Sequence, residues 1–265
     1  MKKLFVSLIT LCVIVTLASC AKSGGADTSL SDIKAKGKFV VGLDDAFPPM
    51  GFKDAKGEIV GFDIDLAKAV AAKMGVAVEF KPVAWDGIIF SLNKGDIDVI
   101  WNGLTITDER KKQIAFSVPY LDNRQIIMVK AASAFQTKAD LKTKIAGHQL
   151  GSSSEAALKG DAAFASSLKD VRKYQDNQQA LMDLSAGRID AVVVDEIVGR
   201  YAMAKKPGEY RVLAETLGNE LYGIGFRMKD ESFRAELGKA LAAVIADGTA
   251  DAIAKQWFGE AIIKK

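Results

Sequence analysis

The chain has 265 residues, with 36 basic and 33 acidic side chains, one histidine and two cysteines. A net charge of +3 gives no reason to expect nucleic acid or an anionic surface as a partner. The sole histidine, His148, has no thiol partner and no cluster of carboxylates around it in sequence, so neither a metal nor a cofactor is expected.

Lys2 and Lys3 precede an apolar run from Leu4 to Ala18, followed by Ser19 and Cys20. A run of about 15 residues is short of the roughly 20 that a spanning helix needs, so residues 1–19 read as a secretory signal. The segment LASC, ending at Cys20, resembles the lipobox of bacterial lipoproteins, which implies cleavage before Cys20 and lipid on its thiol, hence an extracytoplasmic protein held to a membrane. Cys12 leaves with the signal, so the mature chain keeps one thiol and cannot form an internal disulfide. Residues 20–36, beginning AKSGGADTS after the cysteine, are expected to be a flexible lipid-anchored tether. Losing Lys2 and Lys3 leaves 36 minus 2 basic groups against 33 acidic ones, a mature charge of +1. The roughly 235 residues beyond the tether suit one large domain or two of about 110.

From residue 38 the chain alternates short β-branched runs with amphipathic stretches bounded by glycine. KFVVGL reads as a strand, FDIDLAKAVAAKMG as a helix closed by Gly75, and VAVEFKPV as a strand. That alternation means an α/β fold with a largely parallel sheet. WDGIIFSLNKGDIDVIW, from Trp85, and NQQALMDLSAGRIDAVVV, from Asn177, then align so that Leu92 matches Leu184, Gly95 matches Gly187, Ile97 matches Ile189 and Asp98 matches Asp190. Two lobes built alike would produce this echo, as would chance similarity between two helix-Gly-strand units. NELYGIGFRMK, from Asn219, reads as a strand, and ESFRAELGKALAAVIADGTADAIAKQWFG as two helices meeting at Asp247 and Gly248.

Ligands of open parallel sheets collect outside the carboxyl ends of strands, and four such ends here are polar. GLDDAFPPMGF holds Phe47 near Asp44 and Asp45. IWNGLTITDER places Thr107 as an N-cap, with Asp108 and Glu109 in the first turn where the helix dipole favours them. Arg110 opposes that dipole; RKK reads either as a solvated face or as a ligand contact. HQLGSSSE ends a strand in Gly151 and three serines, a helix start suited to an anion, of which one hydroxyl is accounted for as a cap. AVVVDE delivers Asp195 to a strand end, to cap the next helix or to meet a cation. No nucleophile-base pair or G-x-S-x-G stands anywhere in the chain, so catalysis is not expected. An arginine, hydroxyls and an aspartate converging from two lobes describe a cleft for a zwitterion: the guanidinium takes an α-carboxylate and the carboxylate takes an α-ammonium.

GKFVVGLDDAFPPMGF, GEIVGFDIDLAKAVAAKMG, DIDVIWNGLTITDERKKQIAFSVPY, GRIDAVVVDE and IAKQWFG together resemble the extracytoplasmic polar amino-acid-binding proteins of bacterial ABC importers. The resemblance covers essentially the whole mature chain. It implies the two-lobed type II periplasmic-binding-protein fold, with residues 37–122 and 223–265 as lobe 1 and 123–222 as lobe 2. Two crossovers would lie near Leu121 to Gln125 and Asn219 to Gly225, the C-terminal helices would sit on lobe 1, and hinge closure would be what a membrane permease recognises. Carried over by position, Arg110 would hold the α-carboxylate, with the backbone or side chain of Asn102, Gly103 and Thr105 completing the pocket. Ser152 and Ser153 would add donors from lobe 2, and Asp195 would take the ammonium. Phe47 and Trp85 would sandwich the ligand side chain, and Asp44, Asp63 and Gln149 would read its end. Glutamine or arginine is favoured, with cystine, lysine and histidine left open. A monomer is expected. A sensor subunit for another membrane partner, or a dehydratase-like enzyme using Asp44 or Asp63 as acid, shares the same scaffold.

Overall fold

The computed structural model describes residues 26–264. The signal and Cys20 lie outside the described residues, among which no helix is long and apolar enough to cross a membrane.

In chain order, the first half comprises α1 (Ser29–Lys36), β1 (Lys38–Leu43), a small meander of β2 (Ala46–Phe47), β3 (Gly51–Lys53) and β4 (Ile59–Val60), α2 (Phe62–Met74), β5 (Ala77–Pro82), α3 (Ile88–Lys94), β6 (Val99–Ile100), α4 (Asp108–Lys111) and β7 (Ala115–Phe116). The second half comprises β8 (Leu121–Lys130), β9 (Ile145–Gln149), α5 (Ser153–Gly160), α6 (Ala162–Ser167), β10 (Asp170–Tyr174), α7 (Asn177–Ser185), β11 (Ala191–Asp195), α8 (Glu196–Lys205) and β12 (Tyr210–Tyr222). The chain then returns through β13 (Gly225–Phe226), α9 (Glu231–Ala246) and α10 (Thr249–Phe258). The first lobe holds a sheet of order β5-β1-β6-β13-β7 and the second one of order β10-β9-β11-β8-β12. This is the two-lobed type II architecture of mixed α/β sheets.

The internal echo has a physical cause. Asp98 accepts a hydrogen bond from Val40 N of β1, and Asp190 accepts one from Ile145 N of β9. Each carboxylate clips the strand beside it, since β6 lies next to β1 and β11 next to β9, both parallel. A Cβ at Gly42 would fall 2.2 Å from Ile97, and one at Gly147 2.8 Å from Ile189. The same aspartate, isoleucine and facing glycine therefore lock β6 onto β1 in one sheet and β11 onto β9 in the other.

β8 and β12 pair antiparallel over their length, with Leu121 opposite Tyr222 at the end nearest the first lobe. At that end Thr105 bridges to Tyr222, and Leu121 bridges to Ile263. α9 packs on α1 and α2, and Trp257 of α10 donates to Asp65 at the start of α2 (2.9 Å).

Two expectations need correction. The segment expected to be a tether is helical from residue 29: Ile33 is buried, and Ser29 bonds Ser232 at the start of α9 (3.0 Å). A single buried apolar anchor in SLSDIKAK is too little for a periodicity signal. NELYGIGFRMK is not one strand, because β12 ends at Tyr222 in one sheet and β13 starts at Gly225 in the other. Between them Gly223 passes so close to Ile106 that a Cβ would lie 2.8 Å from its Cδ1.

Candidate functional site

The lip of the cleft is made by the stretch after β6. Thr107 caps α4 by accepting from Arg110 N (3.1 Å), which fixes where the arginine leaves the helix. Its guanidinium turns back: Nη1 donates to Thr105 O (2.9 Å), and Nη2 reaches across to Gly151 O of the other lobe (3.3 Å). The group also lies 5.7 Å from the Trp85 ring, within cation–π range. Burial lowers the Arg110 pKa, and the charges of Glu220 and Asp195 offset that cost.

The three serines after β9 divide their work. Ser152 is spent on the chain itself, donating to Gln149 O (2.7 Å) and capping Glu155 N, so its hydroxyl does not serve the cleft as expected. Ser153 Oγ faces Thr105 Oγ1 of the first lobe at 3.1 Å. Ser154 donates to Gln125 Oε1 (2.7 Å), which turns the Gln125 amide nitrogen toward Ser153 and Asp195. Gly151, at φ +70°, meets Asp86 so closely that a Cβ would stand 3.0 Å from its Cα. The lobes are thus closed on each other at this point.

Asp195 ends β11, buried, and its Oδ1 accepts from Tyr222 Oη (2.8 Å), Asn123 Nδ2 (2.5 Å) and Gln125 Nε2 (2.9 Å). Burial, and then the nearby Glu220 charge, push its pKa up. A cationic group of a ligand would reverse that shift, because an opposite charge in a dry site favours the carboxylate.

At the far end, Phe47 and Trp85 lie with planes 4° apart and ring centroids 6.4 Å apart. That separation lies within the range of about 4.5–7 Å at which aromatic rings pair, so the two rings form a parallel aromatic pair. Asp44 accepts from Ala46 N (2.9 Å) and from Gln149 Nε2 of the other lobe (2.6 Å), and Asn177 orients Gln149 by donating to its Oε1 (3.1 Å). Burial outweighs these bonds and holds Asp44 up at about 6.

Two of the expected side chains turn to the scaffold instead. Asp63 is fully buried and accepts from Gly103 N (2.7 Å) and from Tyr120 Oη (2.9 Å to each oxygen). It shapes the rim from behind rather than reading a ligand's end. The Asn102 side chain accepts from Asp44 N (3.1 Å) and lies against Gly51, where a Cβ would fall 2.4 Å from its Nδ2. Gly103 itself, at φ +60°, lets Phe47 and Tyr222 approach: a Cβ there would lie 2.9 and 3.1 Å from their rings.

Sequence reasoning missed Asn123, Gln125, Tyr222 and Glu220. Its available signal was the start of β8, LDNRQ, where inward positions hold Leu121, Asn123 and Gln125. Buried amides on a central strand beside an aspartate-ended one require a polar partner.

A two-lobed α/β molecule whose polar side chains meet in the closing cleft defines a solute-binding class. Residues 39–260 match the family model of bacterial extracellular solute-binding proteins, family 3, and the chain belongs to that family. It is similar to the L-cystine-binding protein TcyJ of Escherichia coli K12, 34% identical over 92% of this chain and 91% of that protein. A Streptococcus pneumoniae ABC uptake transporter substrate-binding protein with bound histidine superposes with a TM-score of 0.87 at 34% identity, covering 91% of this chain and 99% of that one. An ancestral arginine-binding protein, solved bound to arginine and bound to glutamine, is 45% identical with TM-scores of 0.79 and 0.78, covering 84% of this chain and 99% of that chain.

Proposed function

We propose that this protein binds a polar L-amino acid between its lobes outside the cytoplasm and delivers it to an ABC-type permease as a monomer, anchored through lipid on Cys20. The observation that carries this reading is the convergence, from both lobes, of the Arg110 guanidinium, the Thr105 and Ser153 hydroxyls and the Asp195 carboxylate. Together they offer donors to an α-carboxylate and an acceptor to an α-ammonium, and closure removes both from water, where such bonds are worth most.

Arginine or glutamine is the ligand we favour. The parallel Phe47 and Trp85 rings offer aromatic faces to a planar amide or guanidinium, and a carboxylate, Asp44, and an amide, Gln149, are bonded to each other across the lobes. The binding of both arginine and glutamine by the ancestral relative supports that pair, while the cystine and histidine bound by other relatives keep those two in any screen. We assign no catalytic role, since the bonds of Asp44 to Ala46 and Gln149 account for it as a positioning acceptor.

A thermal-shift screen of the twenty amino acids with cystine and ornithine tests the reading. Binding to the folded state alone at 100 times Kd stabilises by about 2.7 kcal/mol, a readily seen rise in Tm. A flat response to every compound would overturn it.

A further inference from the structure

Glu220 stands on β12 two residues before the chain leaves for the first lobe, and the cleft's donors converge on one of its oxygens. Its Oε2 accepts from Thr105 Oγ1 (3.1 Å), Ser153 Oγ (3.3 Å), Asn123 Nδ2 (2.9 Å) and Gln125 Nε2 (2.9 Å). Thr105 belongs to one lobe and Ser153 to the other. Glu220 also lies near enough to Arg110 for its charge to offset the burial of the guanidinium. A carboxylate that bridges hydroxyls of both lobes beside the arginine has the same chemistry as the carboxylate of an amino acid entering this clamp.

The position is one that the side chain can leave. Glu220 and Asn123 also line a hollow of about 560 Å³, together with Lys111, Arg124, Asp122 and Glu196. Rotation about the side-chain bonds of Glu220 would take its carboxylate from the clamp toward that hollow with β12 unmoved; Lys111 and Arg124 stand there, already paired with Asp108 and Glu196, so the displaced carboxylate would enter solvent rather than a vacant ion pair. There is also a reason to leave. Asp195 and Glu220 share the amides of Asn123 and Gln125, so two carboxylates crowd one set of donors, and like charges so placed disfavour each other.

We propose that Glu220 is a tethered competitor for the amino-acid clamp: its carboxylate holds the Thr105 and Ser153 donors in the closed molecule, and an incoming amino acid displaces it into that hollow. Glu220 thereby sets the affinity by weakening it, and its bonds to both lobes favour closure before a ligand arrives. This inference rests on the amino-acid-binding reading.

The test uses the full mature chain with Glu220→Gln and Glu220→Asp. Titration calorimetry with whichever of arginine and glutamine binds the parent protein gives the sign. We expect Glu220→Gln to tighten binding by about tenfold, because the competing occupied state is weakened, and Glu220→Asp, one methylene shorter, to tighten it less. Small-angle scattering without added amino acid should show a larger radius of gyration for Glu220→Gln than for the parent. Unchanged or weaker binding by Glu220→Gln, with its unfolding temperature preserved, would overturn the proposal and make Glu220 a partner of the ligand ammonium beside Asp195. If no amino acid binds the parent, the functional reading fails first, and equal radii would then reject the bridging role separately.

Discussion

The Thr105 hydroxyl of one lobe lies 3.1 Å from the Ser153 hydroxyl of the other. Neither needs the other for folding, since each sits on its own lobe, so the pair reports directly on the cleft. Thr105→Val and Ser153→Ala should each weaken amino-acid binding by about 1 kcal/mol, roughly fivefold. The two losses should not add, because one ligand group joins them. A double-mutant cycle by calorimetry measures both effects.

Gly103 is the backbone position where the aromatic wall meets the rim. Gly103→Ala must adopt φ +60° and push its Cβ against Phe47 and Tyr222. We expect destabilisation of about 1–3 kcal/mol and weaker binding, read as lower urea midpoints and higher Kd.

Stability should fall as pH rises from about 4 to about 7. Burial holds Asp63 up at about 7, against an ordinary 3.8. An acid raised on folding binds a proton that the unfolded chain has released, so its contribution is full below the unfolded value and is lost as pH rises through the folded one. Asp44, held at about 6 by burial, and Asp195, raised by burial and Glu220, act in the same direction. His148 opposes them within this window, since burial lowers its pKa and the unfolded chain then binds the proton more readily, and Glu155 opposes them only below it: burial works against its charged form, yet Lys159, Lys173 and Gly151 N–H hold it at about 2. The parent should therefore melt higher at pH 5 than at pH 7.5. In Asp63→Asn that difference should shrink by an amount on the order of a few kcal/mol, measured by urea unfolding across pH.

Trp85 is one of three tryptophans and the one paired with Phe47. Ligand should change its fluorescence, Trp85→Phe should abolish the change while retaining most of the binding, and Phe47→Ala should weaken binding about tenfold or more through lost stacking and burial. Steady-state titrations distinguish these outcomes.

How much of this was legible in the sequence depended on what each residue had to reveal. β1, α2 and β11 followed from β-branched runs, apolar spacing and the C-cap of Gly75, all local signals. The match of Asp98 with Asp190 was visible as an echo, and its cause appeared only with the strands they clip. α1 escaped because its single buried side chain, Ile33, leaves no period. In the cleft, Arg110, Ser153 and Asp195 stood out as polar groups at strand ends. The side chains of Asp63, Asn102 and Ser152 stood out equally and are spent on the scaffold, because a strand end names the position and not the side to which a side chain turns. Gln125 and Glu220 escaped for the converse reason: both lie inside strands, and their role depends on which face of β8 and β12 closes over the cleft.

The central claim is that Arg110 and the two hydroxyls clamp a free α-carboxylate. Calorimetry of arginine and glutamine against their α-carboxamides, on the parent protein and on Arg110→Ala, tests it most directly. We predict that at least one free amino acid binds the parent, that its α-carboxamide binds at least a hundredfold more weakly, and that Arg110→Ala binds neither, since the loss of a buried charged hydrogen bond costs about 3 kcal/mol or more. Equal binding of acid and carboxamide, or undiminished binding by Arg110→Ala, would contradict it.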